Sequence, residues 1–266
     1  MLKILIVSFL YFSTHAMANI PLVIGEQIQL YSKVLNESRR IDIYLPRTYQ
    51  VNTNKKYDVL YVLDGNAHLL HAAGSQLVLA GYQQMPELLI VGIHNTNRNR
   101  DLTPSVVSSV ANSGGASHFR RFIAEELIPH VAQTYRTNDK RYLSGHSYGG
   151  LFAIDTLVEQ PDLFDAYFTF SPSLRWDNDL VLNKLLVQIQ KTQLTKFLYV
   201  NIGDEGFKLK RPILQLHESF KASTLDEKLW HFDWLAQESH VTTPVIGQFL
   251  AFRAYFSTNL MNNNAR

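Results

Sequence analysis

Hydrophobic and polar positions alternate in two early segments, residues 27–33 and 39–46, on either side of the polar turn Leu35-Asn36-Glu37-Ser38. Period-two alternation rich in β-branched and aromatic residues predicts two strands paired as a hairpin at a sheet edge. The next apolar segments do not alternate. YDVLYVL (residues 57–63) and LLIVGI (88–93) are continuous runs, the pattern of strands covered on both faces within a parallel sheet. Farther on, residues 117–135 place Phe119, Phe122, Ile123, Leu127 and Val131 along one stripe of a helix, with Ser117 as its N-cap. Short strands are expected at 141–143, 166–171, 196–202 and 228–235, and helices at 151–159 and from about 244 to 256. Strand and helix alternate, which predicts an α/β fold: a mostly parallel central sheet, an antiparallel N-terminal hairpin and helices on both faces.

Composition narrows the function. A chain of 266 residues with 46% hydrophobic content can bury one sizeable core, and no repeat or linker divides it. Residues 1–18 differ: Lys3, a short apolar run from Ile4 to Phe12 and the A-x-A pattern Ala16-Met17-Ala18 predict a secretory signal. The run is too short to span a bilayer, so the expectation is export to the periplasm or medium without stable membrane insertion, with residues 19–266 as one domain. The 25 basic and 23 acidic residues form no run of one sign, which argues against nucleic acid and anionic membrane as partners and favours a small-molecule substrate. The absence of cysteine removes disulfides, thiolate metal sites and a cysteine nucleophile. Oligomeric state is not legible.

The candidate chemistry lies in LSGHSYGGL, residues 143–151. Gly145-His146-Ser147-Tyr148-Gly149 fits G-x-S-x-G, in which a serine sits on a sharp strand-to-helix turn and glycines let the backbone bend. The pattern alone is weak, but here a strand precedes it and a helix follows. A serine hydroxyl needs an imidazole base, itself oriented by a carboxylate, and in this arrangement both partners follow the nucleophile in the chain. Three histidines qualify by order. His217 falls in a helical segment and His231 inside a strand, whereas His240 follows that strand in a loop, so His240 is the expected base. For the acid, Asp204 and Glu205 both stand in the loop after residues 196–202, with Glu205 preferred. The oxyanion hole should combine the backbone N–H of Tyr148 with that of Asn66, in the loop after the third strand. Asp64, preceding the nucleophile, is expected to cap or brace that loop.

Taken together, LYVLDG (60–65), RNRDLTP (98–104), RRFIAEELIPHVAQTYRT (120–137), GHSYGGLFA (145–153), FSPSLRW (170–176) and the late Ser239-His240 resemble the esterase D-like branch of the α/β-hydrolases. That branch includes S-formylglutathione hydrolases, feruloyl esterases, mycolyl transferases and siderophore esterases, and exported hydrolases similar to the last group are the nearest in pattern. The resemblance implies the α/β-hydrolase fold, a serine carboxylic-ester hydrolase without cofactor or metal, Ser147 as nucleophile, His240 as base and Glu205 in the acid's position. Where relatives often carry Trp after SPSL, this chain has Arg175 before Trp176. His146, Arg175 and Trp176 are therefore candidate pocket residues.

Two other readings are consistent with the same residues: an acyltransferase of this fold, and a secreted binding protein that retains the fold without turnover. His68 and His71, at i, i+3, lack a third ligand in sequence and are expected to pack. Arg98, Arg100 and Asp101 are expected to form a loop network, with His94 and Asn95 near the pocket. Trp176, Trp230 and Trp234 are expected in the core or the pocket.

Overall fold

The structure, a computed structural model, describes residues 23–264, with side chains as far as residue 257; the leader expected at residues 1–18 lies outside the described residues. Eight strands form one sheet: β1 (Glu26–Ser32), β2 (Glu37–Tyr44), β3 (Tyr57–Leu63), β4 (Leu88–Ile93), β5 (Thr137–His146), β6 (Ala166–Phe170), β7 (Phe197–Gly203) and β8 (Trp230–Leu235). Their order across the sheet is β1-β2-β4-β3-β5-β6-β7-β8. β1 pairs with β2 and β2 with β4 antiparallel; every later pairing is parallel. The alternating hairpin thus occupies the edge, and the unbroken apolar runs β3 and β4 lie inside with nearly every residue buried.

Helices cover both faces because the strands are apolar on both. On one side α1 (Gly65–Gly81) packs against α8 (Thr243–Asn264) over Leu60, Val62, Ile90 and Phe168. On the other, α3 (Ala116–Phe122), α5 (Tyr148–Glu159), α6 (Leu180–Gln190) and α7 (Phe207–Ala222) enclose Tyr61, Val91, Leu143 and Leu198. The short α2 (Arg98–Leu102) and α4 (Ile128–Thr134) complete the set.

The long amphipathic segment departs from expectation. Helix α3 starts at Ala116 with Gly115 at its N-cap, so Ser117 lies inside the first turn and caps nothing. The apolar stripe is then carried through a π turn at Ile123–Leu127 before α4. This widened turn keeps both Ile123 and Leu127 buried while presenting Glu126 to the β1–β2 turn, where its carboxylate accepts from the Lys33 amide and the Ser32 hydroxyl. Strand β5 is longer than the three residues its apolar core marks: Thr137 also pairs with Tyr57 of β3, and the register shifts before Arg141 pairs with Val59. The parallel strands all aim their carboxyl ends the same way, and the loops leaving β3, β5, β6, β7 and β8 meet there.

Candidate active site

Ser147 stands between β5 and α5 with φ 57° and ψ −112°, a backbone conformation unusual for a residue with a side chain. Its neighbours permit the bend: a Cβ on Gly145 would fall 2.4 Å from the backbone of Gly149. The turn is pinned by Ser147 N–H donating to Phe170 O at 3.0 Å, and by Leu151 and Ser173 N–H groups donating to Ser147 O at 2.9 and 3.0 Å. The hydroxyl is thereby held proud of the sheet's carboxyl edge.

His240 arrives from the loop between β8 and α8. Its Nε2 lies 3.0 Å from Ser147 Oγ, and its Nδ1 lies 2.8 Å from Glu205 Oε2. Glu205, in the loop after β7, is 8% exposed. Burial pushes its carboxyl pKa up, but the bonds from His240, Ser171 and the Gly203 amide outweigh burial and hold it below the ordinary glutamate value. Of the two carboxylates that sequence left open, Asp204 is exposed and pairs with Lys210 at 3.1 Å, away from the imidazole. His217 stacks on Phe232 at 4.0 Å and His231 on Tyr199 at 5.8 Å; neither approaches Ser147.

Tyr148 is the first residue of α5, and Asn66 is the second residue of α1, at the carboxyl ends of the adjacent strands β5 and β3. A helix's first turn leaves its amide hydrogens without intrahelical partners, and Asn66 is exposed. Asp64 holds the loop before α1 in a left-handed conformation (φ 54°) and accepts from Arg98 at 2.8 Å and from the Asn95 side chain. It braces this loop through charge and makes no side-chain cap bond to α1.

A cavity of about 420 Å³ opens beside Ser147 and His240, lined by Val107, Val110, Tyr148, Ser173, Arg175 and Trp176 among others. The indole N–H of Trp176 donates to Ser105 Oγ at 3.0 Å, and its ring meets the Tyr148 edge at 5.3 Å. Arg175 is exposed at the rim. His146, expected in the pocket wall, is not there. It is buried beneath the site, where its Nε2–H donates to the His240 carbonyl at 2.7 Å. Burial, with His240 and then His68 adding repulsion, lowers its pKa to about 4 and keeps the ring neutral. Its β5 position points it under the serine turn and so at the His240 backbone.

Other expectations resolve locally. His68 and His71 bond each other at 2.9 Å, and among the described residues no cluster of three or more metal-ligating side chains is placed to hold an ion. His94 pairs with Asp42 at 2.5 Å, and Asn95 bonds Asp64; neither lines the cavity. Trp230 stacks on Phe220 at 4.8 Å, but Trp234, on the sheet's far edge strand, is 50% exposed with Lys210 Nζ over its ring at 5.7 Å. Ser171 and Ser173, on the FSPSLRW stretch, escaped sequence reasoning; two hydroxyls in a loop with no periodicity carry no signal of what they face.

The match to a family model described as "Putative esterase" spans residues 32–231. The chain belongs to this esterase family. Ferri-bacillibactin esterase BesA of Bacillus subtilis is 31% identical over 185 residues, 60% of this chain and 62% of that protein. The chain spans about half the length of the next curated relatives. Among solved structures, an IroE-like serine hydrolase from Shewanella oneidensis is 30% identical, with a TM-score of 0.78 over 87% of this chain and 80% of that one. The BES protein from Bacillus cereus is 27% identical, with a TM-score of 0.77 over 91% and 99% of the two chains. The chain's sheet and helices are those of the α/β-hydrolase fold.

Proposed function

We propose that this chain is an exported serine hydrolase of carboxylic esters, acting through an acyl-enzyme on Ser147. The observation that carries the reading is the unbroken line from Glu205 through His240 to Ser147 at 2.8 and 3.0 Å. Ionised Glu205 accepts a hydrogen bond from His240 Nδ1–H, which leaves the Nε2 lone pair facing the hydroxyl. On attack, the Ser147 proton passes to Nε2 while the oxygen bonds the carbonyl carbon and the carbonyl's π pair moves onto its oxygen. Backbone N–H groups of Tyr148 and Asn66 hold that oxyanion, each contributing about 3 kcal/mol in a preorganised site. The tetrahedral species collapses, the imidazolium gives its proton to the leaving alcohol, and water repeats the cycle on the acyl-enzyme.

For substrate, the relatives' names support a siderophore ester, and a siderophore lactone is the form of it we favour. Aromatic Tyr148 and Trp176 with cationic Arg175 at the rim suit an acyl group that is both aryl and anionic. The test is labelling of the purified chain with a fluorophosphonate, followed by hydrolysis of p-nitrophenyl esters, feruloyl esters, acyl thioesters and a catecholate trilactone. Stoichiometric label on Ser147, lost in Ser147→Ala, with the trilactone turned over fastest, is the expected result. Folded protein that takes no label and hydrolyses none of the four would overturn the reading. More transfer product than free acid in an alcohol-containing assay would replace hydrolysis by acyl transfer.

A further inference from the structure

Ser147 Oγ has a second polar neighbour besides His240: Ser173 Oγ, 3.2 Å away and 8% exposed, on the loop after β6. From this contact we infer that Ser173 is a further catalytic residue, a hydroxyl donor aimed at the nucleophilic oxygen itself. The inference rests on the hydrolase reading above.

Proton counting fixes the direction. A carboxylate accepts only, so the 2.8 Å bond between Glu205 and His240 places the imidazole proton on Nδ1. Nε2 of neutral His240 is then an acceptor, and its 3.0 Å bond to Ser147 uses the single proton of that hydroxyl. The remaining contact at Ser147 Oγ must therefore be a bond that Ser173 donates. In the opposite direction Ser147 would spend its proton on Ser173 and turn it away from the base.

The donor is built in place by backbone. Ser173 N–H bonds Ser147 O at 3.0 Å, and Ser173 O accepts from Trp176 N–H at 3.1 Å. The preceding Pro172 lies against the first turn of α5 so closely that a Cβ on Gly150 would sit 3.0 Å from it. Two positions earlier on the same loop, Ser171 donates to Glu205 Oε1 from a left-handed backbone (φ 42°). One short loop thus places a hydroxyl at each end of the relay.

During attack the Ser147 proton moves to Nε2 as the Oγ–carbon bond forms, and negative charge resides on Oγ before that bond is complete. Ser173 O–H stabilises that charge and keeps its own proton throughout. Once Oγ is an ester oxygen the bond weakens, so the contribution falls on acylation and not on substrate binding.

The test compares wild type with Ser173→Ala and Ser173→Thr, using p-nitrophenyl butyrate and a fluorophosphonate, with rates normalised to the fraction of molecules that finally take up label. Ser173→Ala should lower kcat/KM and the second-order labelling rate together by about tenfold, the factor a single hydrogen bond carries. Ser173→Thr, which keeps the hydroxyl, should recover most of the loss in both rates. Labelling of Ser173→Ala at the wild-type rate would overturn the inference and leave the hydrolase reading standing. So would a loss that Thr does not restore while wild-type and Thr variants melt together. Wild type that neither labels nor hydrolyses would instead sink the hydrolase reading.

Discussion

Two buried charge networks lie on opposite halves of the sheet, and they differ in one respect. Near the hairpin, Arg39 pairs with Asp101 and Glu37 at 2.7 Å each, and Arg100 joins both carboxylates at 2.7 and 2.6 Å. Arg39 is wholly buried, donates a further bond to His94 O and lies over the Phe119 ring at 5.1 Å. Burial raises the Glu37 carboxyl, but the two guanidinium groups outweigh it and hold its pKa below the ordinary value. In that network each carboxylate has guanidinium groups on it, and none of its four side chains lines the cavity beside Ser147. The Glu205, His240 and Ser147 line is likewise anchored by a buried carboxylate, yet it ends on a hydroxyl facing a cavity. Charge pairing inside a protein becomes chemistry only where one terminus is left for a substrate.

Breaking each network should separate turnover from stability. The largest effect is expected for Ser147→Ala, which should lower p-nitrophenyl ester turnover by about 10⁶-fold, with the thermal midpoint moved by no more than a few degrees. Next, Glu205→Ala should cost about 10⁴-fold in kcat while Asp204→Ala costs less than about twofold, both read by steady-state kinetics. In the network near the hairpin, Asp101→Ala leaves the partly exposed Glu37 as the one carboxylate facing two guanidinium groups, of which Arg39 is wholly buried. Denaturant unfolding should show a loss of about 3–5 kcal/mol with kcat per folded molecule unchanged.

His146→Ala should reduce kcat by about tenfold through loosening of the His240 backbone, with His146→Gln retaining more activity because its amide can donate to the same carbonyl. The smallest effect concerns pH. Folded His71 and His146 stay neutral down to about pH 4, whereas the unfolded imidazoles take up protons from about 6.5. Across that window the unfolded chain binds more protons, so stability is full above pH 6.5 and declines as pH falls toward 4. Thermal midpoints at pH 7, 5.5 and 4.5 should fall in that order, and less steeply for His71→Phe.

Sequence carried much of this because two of the signals are periodic or local. The unbroken runs at 57–63 and 88–93 marked strands covered on both faces, and G-H-S-Y-G sat between strand and helix. His240 stood out from His217 and His231 because a base must come from a loop at a strand's end. Other features lay beyond reach because they depend on where backbones cross. The π turn at Ile123–Leu127 follows from the contact of Glu126 with a distant turn, which no periodicity encodes. His146 looked like a pocket residue beside the serine, but the sharp bend at 147 turns its neighbour underneath. Trp234, expected in the core or the pocket, is half exposed on the edge strand β8 and lies in neither.

The hydroxyl and the imidazole that faces it are 93 positions apart, with the carboxylate 35 positions before the imidazole. A growing polypeptide therefore completes its serine bend long before the loop ahead of α8 is synthesised. On the proposed mechanism such a chain lacks its base through most of its own production, and a truncation ahead of residue 240 would leave the serine without its imidazole neighbour.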